Sequence, residues 1–387
     1  MLRIYLNKIS GEFLRTTVLI TSKIRVLIVD DSAVIRKIVT KCLKGCDQIE
    51  VIGYAVDGED AANAVESLSP DVVILDTEMP KINGIQALKN IRENHRDLPI
   101  IMFASHAHDD SEAAIEAYSV GASDCVAKPD HTNVSISDIG RVVESDLIPK
   151  IIHHAGQRIS RKQLNLRKNP TNTQQEVGVT NGVHQNERTY LERLSDVRAI
   201  CIGSSTGGPI ALIELLKQIR PTLNIPIFIV QHMPEGFTAS LATRLEAISN
   251  LRVKEAEHGE IAIPGYVYIA RGGLHMALTK VGADIAIHLN SKAAENNCRP
   301  SVDVLFRSAS QVYGSAVLAI VLTGMGSDGL QGCHAISNQK GLIFVQDEQS
   351  SVVWGMPGSV SNAGLASKVM NINAIAEQIN LCKLDLA

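Results

Sequence analysis

Apolar residues in this chain concentrate in short runs that alternate with stretches of helical period. In the first half the runs are Ile24-Arg25-Val26-Leu27-Ile28-Val29, Val72-Val73-Ile74-Leu75, Pro99-Ile100-Ile101-Met102-Phe103-Ala104 and Asp124-Cys125-Val126-Ala127. After the first of them, Val34, Ile35, Ile38, Val39, Cys42 and Leu43 trace one face of a helix, and Gly45 can end it. Buried strands separated by helices predict a parallel, doubly wound sheet over residues 23–152. A second set starts at about Asp196, with runs at 199–202, 225–230 and 316–322. It predicts another doubly wound parallel sheet, over 196–387. Between the two, residues 157–187 are rich in Arg, Lys, Asn, Gln and Thr and show almost no apolar period. Such a stretch cannot bury enough surface to offset its ordering entropy, so 153–195 is expected to be a flexible linker.

The polar residues that end the runs carry the chemistry. In the first half these are Asp30 and Asp31, Asp76, Ser105 and Lys128. A parallel sheet brings its C-terminal strand ends to one edge, so these groups are expected to converge. Carboxylates gathered there repel one another unless a cation sits among them, and an all-oxygen set with room for water suits Mg²⁺. The hydroxyl and the ammonium can then bind the oxygens of a phosphoryl group carried by one carboxylate.

In the second half the opening run breaks into Gly203-Ser204-Ser205-Thr206-Gly207-Gly208-Pro209, followed by a helical stretch. The G-x-S-x-G spacing matches a strained strand-to-helix turn that exposes a serine, here Ser205. By itself it also fits a glycine-rich turn that holds a phosphate at a helix N-terminus. It is a poor dinucleotide fingerprint, because a serine stands where G-x-G-x-x-G needs glycine. The next two runs end in His232 and, a few residues on, Asp328. Serine, histidine and aspartate at neighbouring strand ends supply a nucleophile, a base and a group that orients the base. Their chain order differs from that of α/β-hydrolases, so the elbow spacing does not assign that fold. Glycine-flanked Met325 and the turn residue Thr206 can offer backbone N–H groups to an oxyanion. Asp328 also has a plainer reading as a cap for the helix after it. His258, His275, His288 and His334 are weaker candidates, and no pair has zinc-ligand spacing.

Composition narrows the class. The chain has 387 residues, enough for two cores, with 45% hydrophobic and 20% charged residues and a net charge of −4. That balance gives no nucleic-acid footprint. Seven cysteines without a C-x-x-C pair are expected to be reduced thiols. Residues 1–22 carry too short an apolar run for a signal peptide and are expected to be an extension outside the first domain. No stretch is long enough to insert in a membrane.

Two resemblances follow from these residues. With Asp30-Asp31, Asp76, Ser105 and Lys128 in place, residues 23–150 resemble a response-regulator receiver, a flavodoxin-like fold. That implies Asp76 as phosphoacceptor, Asp30, Asp31 and Asp76 as Mg²⁺ ligands, and Ser105 and Lys128 as phosphoryl contacts. Receivers usually carry Tyr or Phe three residues before the lysine; here it is Cys125, which weakens the expected switch. The second half is similar to the catalytic domain of chemotaxis protein-glutamate methylesterase/glutamine deamidases, a Rossmann-like three-layer α/β/α fold. Gly203–Gly208, Gln231–Thr238, Arg299–Phe306, Thr323–Gly329 and Gly355-Met356-Pro357 carry this likeness. Cys298 stands where relatives often have a histidine or other polar residue, and only a local effect is expected.

The resemblance implies a phosphorylation-regulated serine hydrolase that demethylates and deamidates chemoreceptors, with no cofactor for the esterase step. It implies a chemotaxis histidine kinase as phosphodonor and a cytoplasmic location at receptor clusters. A non-catalytic response regulator acting as a phosphate sink is the alternative; it predicts a degraded triad.

Overall fold

The computed structural model describes residues 23–104, 116–118, 120–129, 136–156 and 190–382. The expected extension 1–22, residues 157–189 of the expected linker, and Ser105 lie outside the described residues. In the first domain, β1 (Ile24–Val29), β2 (Ile49–Ala55), β3 (Val72–Asp76), β4 (Ile100–Ala104) and β5 (Asp124–Ala127) form one sheet in the order β2-β1-β3-β4-β5. Every pairing is parallel. The helix Ala33–Leu43 starts at Ser32, whose Oγ accepts from the Ile35 N–H, and it buries Ile38, Val39 and Leu43 against the sheet. Strand β2 has no counterpart among the sequence runs. It is an edge strand with half-buried and exposed positions, so no continuous apolar run marks it.

The last helical stretch of this domain runs on to residue 156, past the expected boundary at 152. A buried apolar stripe, Val143, Leu147, Ile151 and Ala155, and a buried polar cluster hold the extra turn together. Asp124, at the start of β5, lies 3.2 Å from Lys150 Nζ and 3.2 Å from His154 Nε2, and His154 and Ala155 are buried. The second domain likewise starts before 196. Tyr190 donates a 2.6 Å hydrogen bond to Gln378, and Leu194 is fully buried.

The second domain has a seven-stranded sheet whose order carries the site. Its strands are β6 (Ala199–Ser204), β7 (Ile227–Gln231), β8 (Arg252–Glu255), β9 (Tyr266–Ile269), β12 (Val317–Val321), β13 (Leu342–Gln346) and β14 (Lys368–Met370). They lie in the order β14-β13-β12-β6-β7-β9-β8, all parallel. Two apolar layers cover its faces. One includes Leu212, Leu215, Phe237 and Leu241; the other includes Leu305, Phe306, Met356 and Val360. An antiparallel hairpin, β10 (His275–Val281) with β11 (Asp284–Asn290), packs outside the sheet against the helix Val302–Tyr313 and was not evident from the sequence. Strand β6 pairs with β7 on one side and β12 on the other, so the chain leaves β6 one way and later returns the other way. That reversal opens a crevice beyond the strand ends, where ligands bind in such sheets. The apolar layer that holds Met233 and Phe237 also includes Ala104, Tyr118 and Ala127 of the first domain. No helix among the described residues is long and apolar enough to cross a membrane.

Candidate active site

Register places the nucleophile candidate beside the base candidate. Ser204 pairs with Gln231 across β6 and β7, so Ser205 and His232 emerge from neighbouring strands at the same level. The elbow turns through Gly207, at φ +76°, into the helix Gly208–Leu216. A side chain at Gly207 would be strained by that φ, and a Cβ on Gly208 would strike Gln231. Gln231 is buried and ties the two strand ends together. It accepts from Ser204 Oγ at 2.7 Å and donates to the backbone oxygens of Ser205 at 3.0 Å and His232 at 3.2 Å. The Ser204 hydroxyl is thereby committed, whereas Ser205, half-buried at the crevice, is not. Thr206 and Met325 flank it, and among the described residues no acceptor receives their amide N–H groups. Ser205 N in turn donates to Thr323 O at 3.0 Å, fixing the elbow to the end of β12.

Half-buried His232 and buried Asp328 form a pair, with Nε2 2.8 Å from Oδ2. Asp328 is saturated with donors. Oδ1 accepts from Asn296 Nδ2, Ser301 Oγ and the amides of Asp303 and Gly329; Oδ2 accepts from the Val302 amide as well as His232. The carboxylate thus sits on the N-terminus of the helix Val302–Tyr313, where exposed N–H groups favour an anion. Burial would raise its pKa, but His232 and these hydrogen bonds outweigh burial and hold it well below the usual carboxylate range. Burial opposes charge on His232 as well, yet Asp328 and Cys298 push it up to about 9. Cys298 brings Sγ to 3.5 Å from His232 Nδ1. Its effect is therefore on the base itself, more than the sequence suggested. Sγ, a ring nitrogen of His232 and an Asp328 oxygen all lie within 4.8 Å of one another. With both oxygens of Asp328 already taken by donors, the arrangement suits an oriented base better than a cation site.

Ser205 and His232 thus leave adjacent strand ends and His232 meets Asp328, although no hydrogen bond joins Ser205 Oγ to His232 among the described residues. The residues that hold Asp328, namely Asn296, Ser301 and Val302, and the strap Gln231, were not assigned roles from sequence. Ser301 and Val302 fall in the Arg299–Phe306 motif and Gln231 opens the Gln231–Thr238 motif, whereas Asn296 lies in neither. His275 supports them from behind, its Nδ1 accepting from the Ser301 amide at 3.2 Å.

In the first domain Asp30, Asp76 and Lys128 come together at the strand ends. Lys128 Nζ lies 2.9 Å from Asp30 Oδ2 and 2.7 Å from Asp76 Oδ1, and all three residues are buried. Asp31 is exposed, and one oxygen from each of Asp30, Asp31 and Asp76 lies within 4.8 Å of the others. Burial pushes the Asp76 pKa up to about 6, with Asp30 adding and Lys128 opposing. This all-oxygen set fits a hard divalent cation such as Mg²⁺.

The fold and its two sites define a class: a phosphoryl-accepting regulatory domain joined to a serine-hydrolase-type domain. Comparison with known proteins gives the family. The CheB methylesterase model matches residues 200–379, and the response regulator receiver domain model matches 26–137. A protein-glutamate methylesterase/protein-glutamine glutaminase from Trichodesmium erythraeum is 40% identical over 357 residues, covering 92% of this chain and 98% of that protein. One from Bacillus licheniformis is 41% identical over 359 residues, covering 92% and 97%. Among solved structures, the Thermotoga maritima CheB methylesterase catalytic domain is 41% identical, covers 48% of this chain and 97% of its own, and has a TM-score of 0.47. The chain belongs to the protein-glutamate methylesterase/protein-glutamine glutaminase family.

Proposed function

We propose that this chain hydrolyses γ-methyl esters of glutamate side chains, and deamidates glutamines, on methylated chemoreceptors, under control of phosphorylation at Asp76. The observation that carries the reading is the His232–Asp328 pair beside the Ser205 elbow. Ser205 Oγ attacks the side-chain carbonyl carbon as His232 takes its proton. Since Nε2 faces Asp328, the proton goes to Nδ1. The amides of Thr206 and Met325 face the tetrahedral oxyanion. His232 then gives its proton to the departing methanol or ammonia. Water, activated by the same nitrogen, cleaves the acyl-enzyme and leaves a receptor glutamate.

In the receiver, Asp76 accepts a phosphoryl group from a histidine kinase, and Lys128 and Ser105 contact its oxygens. Asp30, Asp31 and Asp76 would hold Mg²⁺, which supplies positive charge against the phosphoryl oxygens. The enzyme acts in the cytoplasm, at receptor clusters. Phosphorylation adds about −1.5 to −2 charge units at the end of β3. The apolar layer shared by Tyr118, Ala127 and Met233 offers a route from that charge to the catalytic domain.

The test is mass spectrometry of methylated and glutamine-containing receptor peptides after incubation with the whole chain. Ser205→Ala is expected to lower turnover by about 10⁴-fold or more. Turnover near wild type in Ser205→Ala would remove the nucleophile assignment, and loss in Ser204→Ala alone would move it by one residue.

A further inference from the structure

Residues Glu295–Cys298 close a tight turn beside the His232–Asp328 pair. Glu295 N donates to Cys298 O at 3.1 Å and Cys298 N to Glu295 O at 2.9 Å. Asn296 and Asn297, between them, have φ of 55° and 61°, left-handed values that asparagine tolerates and two-residue turns of this kind require. The turn is anchored from the helix Val302–Tyr313, where Arg307 grips both oxygens of Glu295 at 2.6 Å. It reaches the catalytic pair twice. Asn296 Nδ2 donates to Asp328 Oδ1 at 2.8 Å and to Asp303 Oδ2 at 2.9 Å. Cys298 Sγ stands 3.5 Å from His232 Nδ1.

The two ring nitrogens then have distinct roles. Nε2 faces a carboxylate and keeps its proton. In the neutral ring Nδ1 presents a lone pair, which the thiol can meet with its S–H; in the protonated ring Nδ1–H points at sulfur. In both forms sulfur holds the ring. Nδ1 is also the nitrogen that must take the Ser205 proton, and no hydrogen bond joins Ser205 to it among the described residues.

We propose that Cys298 is a positioning residue for the hydrolytic reaction, its thiol holding the His232 ring at Nδ1 until Ser205 and substrate take over that nitrogen. The proposal rests on the reading of Ser205 and His232 as nucleophile and base. The titratable groups facing the ring are Asp328 and Cys298, with Asp303 and Arg307 behind Asp328. Both facing groups favour the protonated ring. Loss of the thiol therefore frees the base at lower pH.

The experiment is the pH profile of kcat/KM for the whole chain on a glutamate γ-methyl ester peptide. Cys298→Ala is expected to move the acid limb down by on the order of one pH unit, and Cys298→Ser, whose hydroxyl oxygen can again accept from Nδ1–H, to lie between it and wild type. Superimposable acid limbs in all three proteins would overturn the proposal. A second measurement needs no change at 298. In the inactive Ser205→Ala chain, NMR titration of the His232 ring before and after capping Cys298 with methyl methanethiosulfonate, with capping verified by mass spectrometry, is expected to show a lower midpoint after capping. An unmoved midpoint would also overturn it. Full activity of Ser205→Ala in the same assay would instead remove the nucleophile assignment, a separate outcome that leaves the ring titration readable.

Discussion

Two aspartates at similar places in this molecule have opposite characters. Asp76 and Asp328 both lie near the C-terminal ends of parallel strands, 4% and 2% exposed. Asp328 accepts six hydrogen bonds, shared between its oxygens. Asp76 has the Lys128 ammonium at 2.7 Å and one long contact from the Glu78 amide at 3.4 Å. Burial acts on both. At Asp328 the donors outweigh it and the carboxylate is a fixed anion; at Asp76 they do not, and the pKa rises to about 6. A poorly solvated carboxylate is poised to attack an electrophile, whereas a saturated one can only orient a neighbour. Donor count, not burial, separates a carboxylate with a raised pKa from a fixed anion.

The largest effect is expected where the saturated anion is replaced. Asp328→Asn would present an amide NH₂ to N–H donors and favour the wrong tautomer of His232. Its kcat should fall by about 10⁴-fold, measured on the ester peptide with the fold checked by circular dichroism. A loss below tenfold would mean that His232 needs no anionic partner.

A smaller effect is expected at the poised aspartate. Lys128 lowers the pKa of Asp76, so Lys128→Ala should raise it further. Labelling by a small phosphodonor with Mg²⁺ should then be slower, with its half-maximal rate at higher pH, and the label should no longer stimulate the esterase. An unshifted labelling profile would show that Lys128 does not govern the ionisation of Asp76.

The sequence displayed this contrast only in part. Strand-end positions were readable because β1, β3, β4, β6, β7 and β12 are buried on both faces and read as apolar runs. Edge strands β2 and β8 and the hairpin β10–β11 have mixed or alternating burial and left no such run. The candidate side chains Ser205, His232 and Asp328 could be picked out by residue type at or just beyond strand ends. The donors that distinguish Asp328 from Asp76 were not, because most are backbone amides and turn residues brought together across 25 to 32 positions of chain. Cys298 was visible as a departure from its relatives, but its contact with His232 spans 66 positions and depends on the Glu295–Cys298 turn. Helical continuity past residue 152 was only partly visible: the apolar stripe Val143, Leu147, Ile151 and Ala155 is buried in the core, but the polar cluster around Asp124 that holds the last turn joins residues about 30 positions apart.

The smallest effect concerns stability and bears on the comparison most directly. Asp76 has a folded pKa near 6, above its ordinary value of 3.8. Between those values the folded chain holds a proton that the unfolded chain has released. Its stabilising contribution is fully present below about pH 4 and is lost as pH rises through about 6. Asp76→Asn removes that ionisation while Lys128 keeps Asp30 at 2.9 Å. With a chelator present to exclude divalent cations, the variant should melt about 2–4 °C higher than wild type at pH 7.5, a difference of the size expected for about 1 kcal/mol. The gap should close by pH 4, and phosphoryl labelling should be absent. A melting point below wild type at pH 7.5 would reverse the contrast: the Lys128 pair would outweigh burial, and Asp76 would be held as firmly as Asp328.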